Sequence, residues 1–132
     1  MKKVFLGGTC NDSSWRMEII PALEINYFNP VADVWKTENQ IEEIKQRELC
    51  DFLLYVITPR MEGFYSIAEL VDDSNKQPLK TIFCYLEMDP DGSIFSADQL
   101  KSLEAVAILI RKNGALVFNS LEEIVNYLNS KK

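Results

Sequence analysis

Short apolar runs alternate with stretches of helical periodicity along this chain. Residues 3–6, 26–28, 51–58, 79–86 and 115–118 read as strands. Between them, Trp15, Ile19 and Leu23 recur at helical spacing over residues 14–24, and Ile41, Ile44 and Leu49 over residues 37–50, where they predict the inward face of a second helix. A third helix opens at Ser66, a fourth spans about residues 97–112 and ends at the C-cap pair Asn113-Gly114, and a fifth covers residues 121–128. Met88-Asp-Pro-Asp-Gly-Ser93 is dense in turn residues.

The runs at 51–58 and 79–86 are apolar almost throughout, as strands covered on both faces require. Strands that alternate with helices imply right-handed crossovers and a parallel sheet between two helical layers. The expected fold is α/β, a flavodoxin-like three-layer sandwich with a five-stranded parallel sheet in the order 2-1-3-4-5. In that order the crevice falls between the Gly7-Gly8 loop and the loop at residues 59–65, at the carboxyl ends of the strands.

At 132 residues, 47% hydrophobic and 26% charged, the chain fits one domain over residues 1–132. A formal net charge of −6 with singly scattered Lys and Arg gives no stripe for a nucleic-acid backbone. A small molecule is the better partner, and association into a homo-oligomer is left open. The longest apolar run, residues 52–57, is far below the roughly 20 residues of a membrane span. The apolar start at Val4-Phe-Leu6 is too short for a signal-peptide core, so the reading is cytoplasmic. Cys10, Cys50 and Cys84 are odd in number and widely separated, which suits free thiols.

The absence of histidine narrows the chemistry more than any motif does. Ser-His-Asp and Cys-His catalysis are excluded, and without a C-x-x-C pair neither a metal site nor a cofactor is expected. Carboxylates remain. Glu69, in the first turn of the helix beside the crevice, is the first candidate. Ser66-Ile-Ala-Glu69 also matches a capping box, in which Glu69 would only tie off its own helix. Thr37-x-x-Gln40, Ser96-x-x-Gln99 and Ser120-x-x-Glu123 share that spacing. Glu38, Glu42 and Glu43 lie on the second helix near the same edge, as a proton donor or as solvated charge. Gly7-Gly8-Thr-Cys-Asn11 allows close approach to a ligand or forms a tight turn with Asp12 or Ser13 as helix cap. Asn29, Asp33 and Trp35 close the second strand with groups that suit sugar hydroxyls and a base, or with a pinned solvent loop. Arg16 and Arg60 are the nearest cations for a phosphate.

The combination Val4-Phe-Leu-Gly-Gly8, Trp15-Arg16, Phe28-Asn-Pro30 with Asp33 and Trp35, Cys50-Asp-Phe-Leu-Leu54 and Ser66-Ile-Ala-Glu-Leu70 resembles the nucleoside 2-deoxyribosyltransferase-like family. The resemblance covers residues 3 to about 86. It implies attack on the N-glycosidic bond of a (deoxy)nucleoside or nucleotide. The family's glutamate nucleophile falls on Glu69, and its proton-transfer carboxylate falls on Glu43 by ungapped counting. Gly7, Gly8, Asn11, Asn29, Asp33 and Tyr65 would frame the sugar, with Arg16, Trp35 and Ser66 as further substrate contacts. The chain departs from the family pattern at Gly63, where aspartate is frequent, and at Val71, where glycine usually follows the Glu-Leu pair.

The alternative keeps the fold without turnover, as a nucleotide-sensing or protein-interaction module similar to Toll/interleukin-receptor domains around residues 50–69. That comparison also raises NAD as a substrate, since its scissile bond is N-glycosidic. A phosphorelay receiver is disfavoured by Thr58 and by Gly7-Gly8 where acidic residues are needed. Flavin binding would have to use the hydroxyl-bearing loop at residues 9–14.

Overall fold

Every residue from Phe52 to Ile57 is buried, and a strand without a polar side must lie between two covering layers. In the computed structural model, which describes residues 1–10, 12–31 and 36–132, this segment is the central strand. Strands β1 (Lys3–Gly8), β2 (Asn26–Phe28), β3 (Phe52–Ile57), β4 (Thr81–Tyr85) and β5 (Leu116–Phe118) form one sheet in the order β2-β1-β3-β4-β5. Each neighbouring pair is parallel. The connecting helices are α1 (Trp15–Ile19), α2 (Thr37–Leu49), α3 (Tyr65–Lys76), α4 (Ala97–Lys112) and α5 (Leu121–Asn129). The α/β three-layer architecture and strand order expected from the apolar runs are those observed.

On one face of the sheet, Trp15, Ile19, Ile124 and Leu128 of α1 and α5 pack on Val4, Leu6, Leu54, Val56 and Ile82. On the other, Leu70 of α3 and Leu103, Ala107 and Ile110 of α4 cover Phe5, Leu53, Tyr55, Ile57 and Phe83. Each fully buried Leu, Ile or Val contributes about 1.5–3 kcal/mol by leaving water. Among the described residues no helix is long and apolar enough to cross a membrane.

Three local expectations are corrected. The first helix, expected over residues 14–24, ends at Ile19 and tightens into a 3-10 turn at Ile20–Ala22. Pro21 lies in that turn and has no N–H with which to continue the α-helical ladder. Gly7 and Gly8 are the last residues of β1, opposite Tyr55 and Val56. A Cβ on Gly8, whose φ is +115°, would stand 2.0 Å from the Val56 carbonyl oxygen, so packing against β3 already demands glycine there.

The third correction concerns α2. Ile41, Ile44 and Leu49 are 62%, 51% and 65% exposed, so they are not its inward face. The inward positions are polar: Gln46 is buried, and Asn39, Glu42, Glu43 and Arg47 are half-buried. The inward Arg47 meets opposite charges on α3, from Glu69, Asp72 and Asp73.

Candidate active site

Helix α3 carries Glu69 and Asp73 one turn apart, and α2 carries Glu43 and Arg47 one turn apart. Residues at this spacing stand on one side of a helix, so each pair presents a two-rung ladder. The two ladders face each other. Arg47 Nη1 is 3.3 Å from Glu69 Oε2. Arg47 Nε and Nη2 donate to the two carboxylate oxygens of Asp73 at 3.1 and 3.0 Å. Asp73 is 2% exposed and also accepts a hydrogen bond from the Tyr55 hydroxyl, which rises from the buried β3 strand. Glu43 completes the group, lining the same cleft as Arg47 and Glu69.

Glu69 is therefore not a helix cap. The N-cap of α3 is Phe64, which places Ser66 and Glu69 inside the helix. Ser66 Oγ donates instead to the Gly8 carbonyl at 3.2 Å, tying α3 to the end of β1. The full capping box does form at Ser96 with Gln99. At Ser120 the hydroxyl accepts from the Glu123 N–H. On α2 the cap is at Lys36, whose N–H donates to Asn39, one residue earlier than the Thr37-Gln40 spacing implies.

One guanidinium stands among four carboxyl groups, because Arg47 also reaches Asp72 at 3.5 Å. Burial and the neighbouring carboxylates both disfavour the ionised form of Glu69. The Glu69 carboxyl is pushed up to about 8, first by burial, then by the hydrogen bond and charge of Glu43; Arg47 opposes the rise and Asp73 adds to it. The Tyr55 phenol is raised above its ordinary range by burial and then by Asp73, so it stays a donor.

Glu43, Arg47 and Glu69 line a cleft of about 260 Å³ between α2 and α3, with Gln40, Ile44 and Tyr65. A second hollow of about 160 Å³ lies where the β1 and β3 loops meet, lined by Gly8, Thr9, Cys10, Met61 and Ser66 among others. Tyr65, 70% exposed, borders both. The crevice expected between these loops is the second hollow, while the carboxyl pair occupies the first.

The other sequence-derived candidates are distributed unevenly. Arg16 is buried, and its guanidinium donates to the carbonyls of Leu6, Gly8 and Thr9. It shapes the turn after β1. Arg60 bridges Asp12 at 3.6 Å and Asp91 at 3.5 Å across the rim. Ser13, a candidate cap, donates to Asp89 at 2.6 Å. Asn29 turns its amide oxygen back to the Val31 N–H at 3.1 Å. Gly7 is covered by the Tyr55 and Phe5 rings. Asn11, Asp33 and Trp35 lie outside the described residues.

Sequence reasoning missed Arg47, Asp73, Tyr55 and Gln40. The signal for two of them was present, since Glu43-x-x-x-Arg47 and Glu69-x-x-x-Asp73 are each spaced by one helical turn.

The family model described as nucleoside 2-deoxyribosyltransferase like matches residues 1–86, a segment that contains both ladders, both hollows and the first four strands. No curated protein is matched by the chain.

Proposed function

Because the chain belongs to the nucleoside 2-deoxyribosyltransferase-like family, we propose that it breaks the N-glycosidic bond of a (deoxy)nucleoside or nucleotide, with Glu69 as nucleophile and Glu43 as acid and base. The observation that carries this reading is that Glu43 and Glu69 line one cleft, with Arg47 3.3 Å from Glu69 on one side. Two carboxyl groups on one cleft can divide the roles of nucleophile and acid between them.

The reaction needs Glu69 ionised, and its charge then rests beside Arg47, 3.3 Å away. A sugar entering the cleft parts the two carboxyl groups, which in retaining glycosidases stand about 5–5.5 Å apart. A Glu69 oxygen bonds to the anomeric carbon as the C–N bond breaks. The bonding pair stays on the base nitrogen, which takes the proton from Glu43. The sugar is then an ester of Glu69. Water attacking its anomeric carbon gives hydrolysis and a second base gives transfer; in each case Glu43 accepts the proton of the incoming group and Glu69 leaves ionised.

The two hollows that meet at Tyr65 suit the two halves of such a substrate. Together they compare with the lower end of ligand pockets, roughly 300–1,000 Å³. Incubation with a panel of purine and pyrimidine nucleosides and their 5′-phosphates, followed by chromatography of free base, tests the reading. Base release is expected for the native protein and not for Glu69→Ala. Undiminished release by that variant removes Glu69 from the mechanism, and ligand-induced thermal stabilisation without any release favours a binding module.

A further inference from the structure

We propose that Arg47 is a positioning residue, gripped by Asp73, which Tyr55 holds in turn, so that its remaining nitrogen keeps Glu69 ion-paired in register with the cleft. This rests on the reading of Glu69 as the nucleophile and extends it to three residues behind the site. The guanidinium is a planar fork whose donors have fixed relative directions. Its Nε and Nη2 are both occupied by Asp73, a bidentate contact that fixes the plane and leaves Nη1 to Glu69. Asp73 is in turn held from below by the Tyr55 hydroxyl, and Tyr55 is fully buried in the central strand. The sheet thereby sets the orientation of the guanidinium, and the guanidinium that of Glu69.

The arrangement is asymmetric in a way that simple charge balance does not require. Asp72 sits beside the same arginine but is half exposed and shared with Lys76 at 3.0 Å. Asp73 has no such outlet and is the anchor. A lysine at position 47 would keep the charge, yet its compact ammonium lacks the planar fork that grips both Asp73 oxygens while a separate nitrogen stands 3.3 Å from Glu69. It would stay with the buried Asp73, and Glu69 would lose its cation.

The test uses the full chain with Arg47→Lys and Tyr55→Phe, each compared with the native protein in two measurements. One is the pH profile of base release. The other is the titration of Glu69 followed by NMR in protein labelled with ¹³C at glutamate side-chain carboxyls, assigned with Glu69→Gln. Arg47→Lys is expected to lower kcat by about 10²-fold with little change in KM, as displacement of a positioned group does. It should also move the Glu69 titration and the acid limb of the profile upward. Tyr55→Phe changes no charge and should lower kcat by about tenfold. A lysine variant that titrates and turns over like the native protein overturns the proposal. If the native protein releases no base, the N-glycosidic reading fails alone, and the NMR midpoint of Arg47→Lys still decides the positioning role. Arg47→Gln would leave Asp73 buried without its cation and endanger folding itself, which is why the charge-conserving variant carries the test.

Discussion

Arg47 and Glu69 meet at 3.3 Å although the same guanidinium is already held by Asp73, so the candidate nucleophile shares its cation with a more deeply buried carboxylate. Glu69 is consequently under-compensated, and that sets how the fold responds to pH.

In the unfolded chain Glu69 titrates near the ordinary value of 4.5, and in the fold at about 8. Between those values the native state holds a proton that the unfolded state has lost, so this group makes stability fall as pH rises through the interval and level off above it. Glu69→Gln should abolish base release, flatten that slope and, near the top of the interval, raise stability by on the order of 2 kcal/mol. Urea unfolding at a series of pH values checks this. A variant with the native slope and lower stability throughout would contradict it.

Gly8 is expected to tolerate no side chain. Its positive φ would strain any L residue, and an added Cβ would lie only 2.0 Å from the Val56 carbonyl oxygen, a clash with backbone that no rotamer relieves. Gly8→Ala should lose roughly 3 kcal/mol or more, read from the urea midpoint. Near-native stability would mean that β1 can part from β3 at that rung.

The outward face of α2 leads to a contrast between two apolar positions. Ile41→Gln should change stability by less than about 0.5 kcal/mol, because the side chain is already 62% exposed. Leu70→Ala on α3, fully buried, should cost about 2–5 kcal/mol. A large loss at Ile41 would restore the apolar inward face that periodicity predicts.

Among the three cysteines Cys10 is exposed, whereas Cys50 and Cys84 are buried. Burial raises the Cys50 thiol and pushes Cys84 up to about 12. Alkylation of the native protein should therefore stop at one adduct, on Cys10, by peptide mass spectrometry. Since Cys10 lines the hollow beside Tyr65, a bound nucleoside should slow that reaction. Rapid native labelling of Cys84 would show that the sheet opens far more readily than its packing implies.

The topology was legible because β3 and β4 are apolar at nearly every position and the intervening helices leave few other ways to cover them. Glu69 was singled out because it opens a helix near the expected crevice in a chain without histidine, and the structure lines the neighbouring cleft with it. The group around it was not legible. Ile41, Ile44 and Leu49 carry the only apolar periodicity of α2, and reading them as the core side turns Arg47 toward solvent. The true orientation depends on Asp73 and Tyr55, which lie on other elements and have no local signature that links them to Arg47. The capping-box spacing at Ser66 misleads for a related reason: the N-cap of α3 is Phe64, two residues earlier, and the hydroxyl serves the Gly8 carbonyl.

The most direct measurement is intact-protein mass spectrometry of samples mixed with a nucleoside and quenched in acid, followed by peptide mapping. The account predicts a mass increase of one sugar, located on the peptide that contains Glu69 and missing from Glu69→Gln. A sugar adduct on another residue, or base release by Glu69→Gln at the native rate, would contradict it.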